Sequence, residues 1–170
     1  MSNVFKEQIV KRQSTAKDTL IRACLVIVAT MVSMLALILA PAFGAFIAVA
    51  AIFGAWFLMS FLRVEYEYAF TDGELDIDAI YNRSRRKRMF SGRVNDFEIM
   101  AHVEDNMHMG SFGSAQEIRN YASGVTTDNT YAFLTNYKGK RVKIIIEPNE
   151  MMLKAMASVL TRRRLHVKMK

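Results

Sequence analysis

Side chains that could bind a metal ion occur at two places in the sequence. Asp76 and Asp78 are two residues apart, so a β-strand would present both carboxylates on one face. A hard cation needs more oxygen ligands than these two, and the same spacing is typical of the solvent face of a strand. The second place has softer donors, which are His102, Met107, His108 and Met109. Their spacing matches no standard transition-metal site, so we predict neither a metal site nor a cofactor.

Nucleophilic side chains lack the sequence context that catalysis requires. Residues 110–114, GSFGS, form neither a nucleophile elbow nor a phosphate loop, because both need a fixed glycine frame between a strand and a helix. Cys24 is the only cysteine, which excludes an intramolecular disulfide. It begins an apolar segment, where a thiolate is poorly stabilised. We therefore predict no catalytic residue and a protein that is not an enzyme.

The densest group of charges is a basic run of five side chains. They are Arg83, Arg85, Arg86, Lys87 and Arg88. The chain has a formal net charge of +7, which favours anionic partners. Near an anionic leaflet each cation contributes about 1 kcal/mol, so the basic run is a candidate site for anionic lipid headgroups or a protein partner. A solvated loop explains these residues equally well. Nucleic acid is not expected, since no aromatic side chain is interleaved with the charges.

An apolar segment separates the charged parts of the chain. Residues 23–62 contain no Asp, Glu, Lys, Arg or His. A helix needs about 20 residues to cross a hydrocarbon core, so this segment is long enough for two passes. Pro41 and Gly44 interrupt it, which predicts transmembrane helices at 23–40 and 43–62. Small residues recur on both spans and would let the helices approach closely. They are Ala36, Ala40, Gly44, Ala48, Ala51 and Ala55.

Basic residues beside the spans predict their orientation. Those before the first span are Lys6, Lys11, Arg12, Lys17 and Arg22, and Arg63 follows the second. The turn between the spans has no charge. Lys and Arg in short flanks are retained in the cytoplasm, so we expect two spans of the cell membrane with both termini cytoplasmic. A cleaved signal peptide is disfavoured, because its basic region would be long and a second apolar stretch follows at once.

Residues 1–22 are predicted to be a cytoplasmic basic amphipathic segment. Phe5, Ile9, Ala16 and Leu20 recur at nearly helical spacing, with most of the basic residues elsewhere around the turn. Two interpretations stay open. The segment is either a helix lying in the membrane interface or a cytoplasmic extension of the first transmembrane helix.

Residues 63–170 are predicted to form a β-rich cytoplasmic domain. Apolar and polar residues alternate over 64–71, with Glu65 and Glu67 on the solvent side. Asp72-Gly73 suits a type I′ turn, after which Leu75 and Ile77 resume the alternation. Further strands are expected at 86–91, 96–103 and around 118–122. A second hairpin is expected at 130–137 and 141–147, with Val142, Ile144 and Ile146 in the core.

The last element is predicted to be an amphipathic helix that covers the sheet. Pro148 and Asn149 stop the preceding strand and start the helix. Its apolar stripe consists of Met152, Leu153, Met156, Val159 and Leu160. A second basic cluster follows, at Arg162, Arg163, Arg164, Lys168 and Lys170. Cations complement the C-terminus of a helix, which is a sufficient structural reason for this cluster.

The order of these elements resembles a known family. After the two-helix anchor come residues 66–78, YEYAFTDGELDID, then a basic strand, and then a strand whose end reads IIEPN at 145–149. This pattern resembles bacterial pleckstrin-homology-like membrane proteins, in particular a two-pass family of Gram-positive bacteria. The resemblance implies the fold and a membrane setting. It carries over no activity and no binding residue.

The sequence therefore predicts an α+β membrane protein. An N-terminal transmembrane helical hairpin is followed by an antiparallel β-sheet or partly open barrel, pleckstrin-homology-like, that a C-terminal amphipathic helix closes. The expected function is a membrane-anchored, non-enzymatic binding module that recognises anionic lipid or a protein partner on the cytoplasmic face. The alternative is a structural or accessory subunit of a larger membrane complex, such as a transporter or sensor, that acts through its transmembrane helices. A homo-oligomer is compatible with both.

Overall fold

The computed structural model describes residues 5–105, 107–160 and 165–166. The chain divides into two compact units. The helical unit comprises residues 14–64 and 81–85. The sheet unit comprises the described residues of 1–13, 65–80 and 86–170. The chain therefore leaves the sheet unit twice, for residues 14–64 and 81–85, and returns to it each time.

The helical unit consists of two apolar helices joined by a short turn. Helix α1 spans Ala16–Leu39 and α2 spans Gly44–Ser60. A capping box starts α1: the Asp18 amide donates to the Thr15 hydroxyl (3.3 Å), and the Thr15 amide donates to the Asp18 carboxylate (2.9 Å). This cap starts the helix before the predicted span. By length and composition α1 is able to cross a membrane, whereas α2, with 17 residues, is shorter.

Small side chains form the contact between α1 and α2. The least exposed positions recur at helical spacing, and most of them are small: Ala29, Ser33, Ala36 and Ala40 before the turn, then Gly44, Ala48, Ala51 and Ala55. A Cβ added at Gly44 would lie 2.6 Å from the Ala36 carbonyl oxygen, so only glycine fits there. The predicted close approach of the two helices through small residues is confirmed.

The first sheet has four strands in the order β1-β2-β3-β4. They are β1 (Phe5–Lys11), β2 (Val64–Thr71), β3 (Glu74–Tyr81) and β4 (Arg85–Arg93). Asp72 and Gly73 connect β2 to β3 with φ angles of 49° and 89°, as a type I′ turn requires. The first predicted hairpin is confirmed.

Strand β1 replaces the helix that was predicted near the N-terminus. It pairs antiparallel with β2 over seven residues, from Phe5 opposite Thr71 to Lys11 opposite Glu65. Val10 is buried in the core. The helical prediction for residues 5–11 is wrong, because pairing with β2 satisfies the backbone along one edge of the strand and outweighs a weak helical pattern. The two helices are consequently an insertion between two neighbouring strands of one sheet.

The second sheet has five strands in the order β6-β8-β7-β5-β9. They are β5 (Ile99–His102), β6 (Glu117–Asn120), β7 (Tyr131–Tyr137), β8 (Lys140–Ile146) and β9 (Leu165–His166). Lys138 and Gly139 form the turn of the predicted β7–β8 hairpin, with φ angles of 53° and 77°. Between β5 and β6 lies a short helical turn, α3 (Met109–Phe112).

The expectation of an antiparallel sheet is wrong at two pairs of strands. Strand β6 runs parallel to β8, and β5 runs parallel to β9. An irregular connection reverses the chain between β6 and β7, and the hairpin turn reverses it again between β7 and β8. Strands β6 and β8 therefore run in the same direction. The strands form two sheets rather than one closed barrel.

Helix α4 (Glu150–Val159) completes the core as predicted. The Met152 amide donates to the Asn149 side-chain oxygen at 2.8 Å, which caps the helix. The predicted stripe packs into the core, with Met152, Leu153, Met156 and Leu160 buried and Val159 half-buried. Val142, Ile144 and Ile146 are fully buried, as expected. The basic residues Arg162, Arg163, Arg164, Lys168 and Lys170 lie outside the described residues.

Candidate functional site

The basic run begins in a turn that belongs to the helical unit. Asn82 and Arg83 both have left-handed backbone conformations, with φ angles of 48° and 56°. The Asn82 amide donates to the Arg63 carbonyl oxygen at 3.1 Å, which ties this turn to the chain that leaves α2. Arg83 and Arg85 are exposed. The structure thus places the first two cations of the basic run beside Arg63.

Cations collect at one end of the helical unit. Lys17 and Arg22 lie in the first turns of α1, and Arg63 follows the end of α2. Arg83 and Arg85 join them through the hydrogen-bonded turn. The opposite end, residues 40–43, has the sequence APAF and no charge. The two ends of the hairpin therefore differ in charge, while its sides are apolar.

Arg86 and Arg88 form ion pairs within the sheet unit. The Arg86 guanidinium contacts both carboxylate oxygens of Glu67, at 2.9 and 3.0 Å. Arg88 contacts Asp76 at 2.8 Å and also donates to Asp78. The hydrogen bond to Asp78 raises the pKa of Arg88. Carboxylates of β2 and β3 thus already neutralise both arginines. Along β4 the basic run therefore contains arginines with ion-pair partners and, among the described residues, cations without them.

Arg85 and Lys87 alternate with the paired arginines along β4. Both are exposed, and neither has an ion-pair partner in the part of the chain that the structure describes. Successive residues of a strand point to opposite faces, so residues 85 and 87 share one face and residues 86 and 88 share the other. This alternation, rather than the density of charge, decides which cations of β4 are available to an anion.

Four side chains that were considered as metal ligands have other partners. Asp76 and Asp78 bind Arg88. His102 accepts a hydrogen bond at Nδ1 from the Glu104 amide (3.2 Å), so its Nε2 carries the proton and donates to the Thr127 carbonyl (3.1 Å). His108 Nδ1 lies 2.8 Å from Asp105. These contacts stabilise a sheet face and a loop.

Glu67 is a buried ionisable residue that the alternation of apolar and polar residues in the sequence placed wrongly on the solvent side. Its side chain is only 5% exposed, although the sequence predicts it on the solvent side. A hydrogen bond with Glu7 raises its pKa most, burial raises it further, and the charge of Arg86 opposes both. The sequence did contain one indication of an ion pair for Glu67, which is opposite charge. Acidic residues of β2 and cations of β4 lie on strands that are separated only by β3.

A polar groove of about 300 Å³ lies in the sheet unit beside β1. Its central charge, Glu147, is occupied: the carboxylate accepts hydrogen bonds from the Ser123 amide (3.1 Å) and the Thr127 hydroxyl (2.9 Å). The Gln8 side chain donates to the Glu147 carbonyl and accepts from the Asn149 amide. These bonds hold β1 and the start of α4 in place, so the groove is built from structural contacts.

A buried tyrosine supports the same region. The Tyr68 hydroxyl donates to the Tyr121 carbonyl oxygen at 2.6 Å and accepts from the Glu147 amide at 3.3 Å. Burial raises the pKa of Tyr68 well above its ordinary value, so the phenol stays protonated and keeps its donor role. Tyr68 therefore acts as a fixed structural link between β2 and the chain on either side of the groove.

Comparison with known families agrees with this fold. A family model described as a bacterial PH-like domain, DUF6106, matches residues 2–165. The match includes β1, both helices and both sheets. No curated protein and no solved structure matches the chain.

Proposed function

Because the chain belongs to this family of bacterial PH-like domains, we propose that it is a membrane-anchored binding module that recognises anionic lipid headgroups on the cytoplasmic face. PH-like domains are generally non-catalytic binding modules. The proposal has three parts, which are the anchor, its orientation and the ligand.

The surface of the helical unit supports the anchor. Only 11% of the residues in the most apolar 18-residue stretch of α1 are buried, whereas the core helix of a soluble protein would be mostly buried. Large side chains such as Leu39 and Phe46, each 77% exposed, point outward on both helices. Exposing this much apolar surface to water would cost about 25 cal/mol per Å², and a bilayer removes that cost. We propose spans at 23–40 and 43–62, in which Phe61 and Leu62 extend the second pass.

Pairing of β1 with β2 supports the orientation. These strands flank the helices and pair over seven residues, so both ends of the hairpin lie on the same side of any membrane that it enters. Removal of α1 as a signal sequence would also remove β1 and leave one edge of β2 unpaired. Cations at the end of the hairpin that joins the sheet favour the cytoplasm for that side. Both termini are then cytoplasmic.

The split basic run supports an anionic ligand. Arg83 and Arg85 belong to the charged end of the helical unit, where the headgroups of a bilayer would lie. Lys87 shares the face of Arg85 on β4. The ion pairs of Arg86 and Arg88 reduce what these two residues contribute. We therefore assign the principal headgroup contacts to Arg83, Arg85 and Lys87.

Lipid titration of the full chain tests this assignment. The protein in neutral detergent is titrated with phosphatidylglycerol or phosphatidylcholine at low and high salt, and bound lipid is counted by native mass spectrometry. We expect salt-sensitive preference for phosphatidylglycerol. The double variant Arg83→Gln/Arg85→Gln should lose about 1 kcal/mol per removed cation, roughly fivefold each.

A matched double variant provides the control. Arg93→Gln/Lys138→Gln removes the same charge outside the basic run and should keep the preference. Equal affinity for the two lipids, or equal losses in the two double variants, would refute headgroup recognition by the basic run.

The alternative role as an accessory subunit is less well supported. It relied on small-residue faces of the helices as contacts for a partner. Those residues pack α1 against α2, as the 2.6 Å approach at Gly44 shows. A partner in the membrane would have to use the exposed large apolar side chains instead, and these fit lipid equally well.

A further inference from the structure

Glu67 combines burial with a crowded electrostatic setting. Its carboxylate is 5% exposed and forms a two-point ion pair with Arg86, which itself stays largely exposed. The β1–β2 register places Ile9 opposite Glu67, so the two diagonal neighbours of Glu67 on the same face are Glu7 and Lys11. Asp78 of β3 also acts on Glu67 through its charge. The Glu67 carboxylate therefore has two acidic neighbours, Glu7 and Asp78, and one ion-pair partner, Arg86.

Other charges among the described residues lie on the same face without contacting the Glu67 carboxylate. On the same face, β1 also carries Lys11 and β2 carries Glu65, which are opposite each other in the register. Strand β3 carries Asp76, and β4 carries Arg88, which is engaged by Asp76 and Asp78. No cation other than Arg86 contacts the Glu67 carboxylate in the described residues. A single proton bound between Glu67 and Glu7 would remove the repulsion between their carboxylates.

We propose that Glu67 is a proton-binding site that controls the availability of Arg86 to an anionic headgroup. As a carboxylate, Glu67 holds Arg86 on the sheet. When it binds one proton, Glu67 shares a hydrogen bond with Glu7, its attraction for Arg86 falls, and the net charge of the chain rises by one. Arg86 then joins Arg83, Arg85 and Lys87 as a headgroup contact. Only this last step rests on the proposed function.

The direction in which the pKa of Glu67 is shifted agrees with this proposal. The hydrogen bond with Glu7 and burial both raise the pKa of Glu67, and the charge of Arg86 lowers it. The protonated form is thus favoured at a higher pH than for an ordinary glutamate. An anionic membrane surface concentrates protons together with other cations, so the local pH is lower there. This lower pH also favours the protonated form of Glu67.

The proton site is tested without lipid. The full chain in neutral detergent is labelled with ¹³C at glutamate carboxyls, and the resonance that disappears in Glu67→Gln is titrated by NMR. We expect it to titrate at a higher pH than an ordinary glutamate side chain. Titration at the ordinary pH, or at a lower pH, would overturn the proposal.

The link to headgroups is tested by binding of phosphatidylglycerol at about pH 4.5 and about pH 7.5, which lie near and well above the ordinary pKa of a glutamate side chain. Glu67→Gln removes the charge that holds Arg86. At the higher pH it should bind phosphatidylglycerol about fivefold more tightly than the unmodified chain, as expected for one added cation. It should also show a smaller change with pH.

Glu74→Gln is the matched control, because it changes the net charge equally at an exposed position of the same sheet. It should keep the pH dependence of the unmodified chain. Binding that is salt-sensitive but responds identically in Glu67→Gln and Glu74→Gln would refute control by Glu67 and leave headgroup recognition standing. No preference for phosphatidylglycerol at either pH would refute headgroup recognition and with it the control of Arg86, while the NMR titration still decides the proton site.

Discussion

The helical unit and the sheet unit bury opposite kinds of side chain. Between α1 and α2 the contact is made by small residues, and Leu39 and Phe46 point outward. In the sheet unit the largest side chains are fully buried, among them Phe97 and Phe133, whose stacked rings have centroids 3.9 Å apart. In water, the hydrophobic effect favours burial of large apolar side chains, as in the sheet unit. In lipid, large apolar side chains can face outward, and helices associate closely through small residues, as in the helical unit.

The largest expected effect comes from removing a large core residue of the sheet unit. Phe133→Ala should lower the free energy of unfolding by about 3–5 kcal/mol, because it opens a cavity among buried aromatic rings. Phe46→Ala, at an exposed position of α2, should change it by less than about 0.5 kcal/mol. Hydrogen exchange of β7 and α2 amides in the full chain in neutral detergent measures both. Comparable losses in the two variants would show that the outside of the helical unit is a packed protein surface.

A smaller effect is expected where the helices approach most closely. Gly44→Val should cost about 1–3 kcal/mol, since its Cβ would overlap the Ala36 carbonyl and force α1 and α2 apart. Gly54→Ala is the control, because nothing lies within 4 Å of an added Cβ. Thermal loss of helical circular dichroism in detergent reports the difference. A Gly44→Val protein as stable as Gly54→Ala would contradict the close contact.

The smallest effect concerns the pH dependence of the sheet unit. Glu67 has a higher pKa when folded than its ordinary value, so its protonation stabilises the fold fully below the unfolded pKa. That contribution is lost as the pH rises through the folded pKa. Relative to Glu67→Gln, the unmodified chain should therefore lose stability with rising pH across this window. Denaturant unfolding at several pH values, followed through β7 amides, would show parallel curves if Glu67 were unperturbed.

Local signals in the sequence predicted the elements that local chemistry determines. Asp72-Gly73 forms the expected type I′ turn, and Asn149 caps α4 as expected. The apolar stripe from Met152 to Leu160 enters the core. Each of these features depends on residues within a few positions, so periodicity and turn residues were sufficient to find them.

Features that depend on distant residues were missed. Strand β1 pairs with residues about sixty positions away, and nothing in residues 5–11 identifies that partner. The parallel pairing of β6 with β8 has the same origin. In the candidate site, the charge density of the basic run was visible, but the partners of Arg86 and Arg88 lie on β2 and β3. Sequence alone could not separate these two arginines from Arg85 and Lys87.

The sequence by itself determined the contrast between an uncharged apolar hairpin and a basic, strand-forming remainder, because composition and short-range periodicity report which solvent a segment suits. Only the tertiary structure decided that the hairpin is inserted between two paired strands and that Arg86 and Arg88 of β4 are neutralised by ion pairs. Both depend on which distant strands become neighbours. Neighbours in a sheet are selected by burial and backbone pairing over the whole fold, and those energies have no local signature.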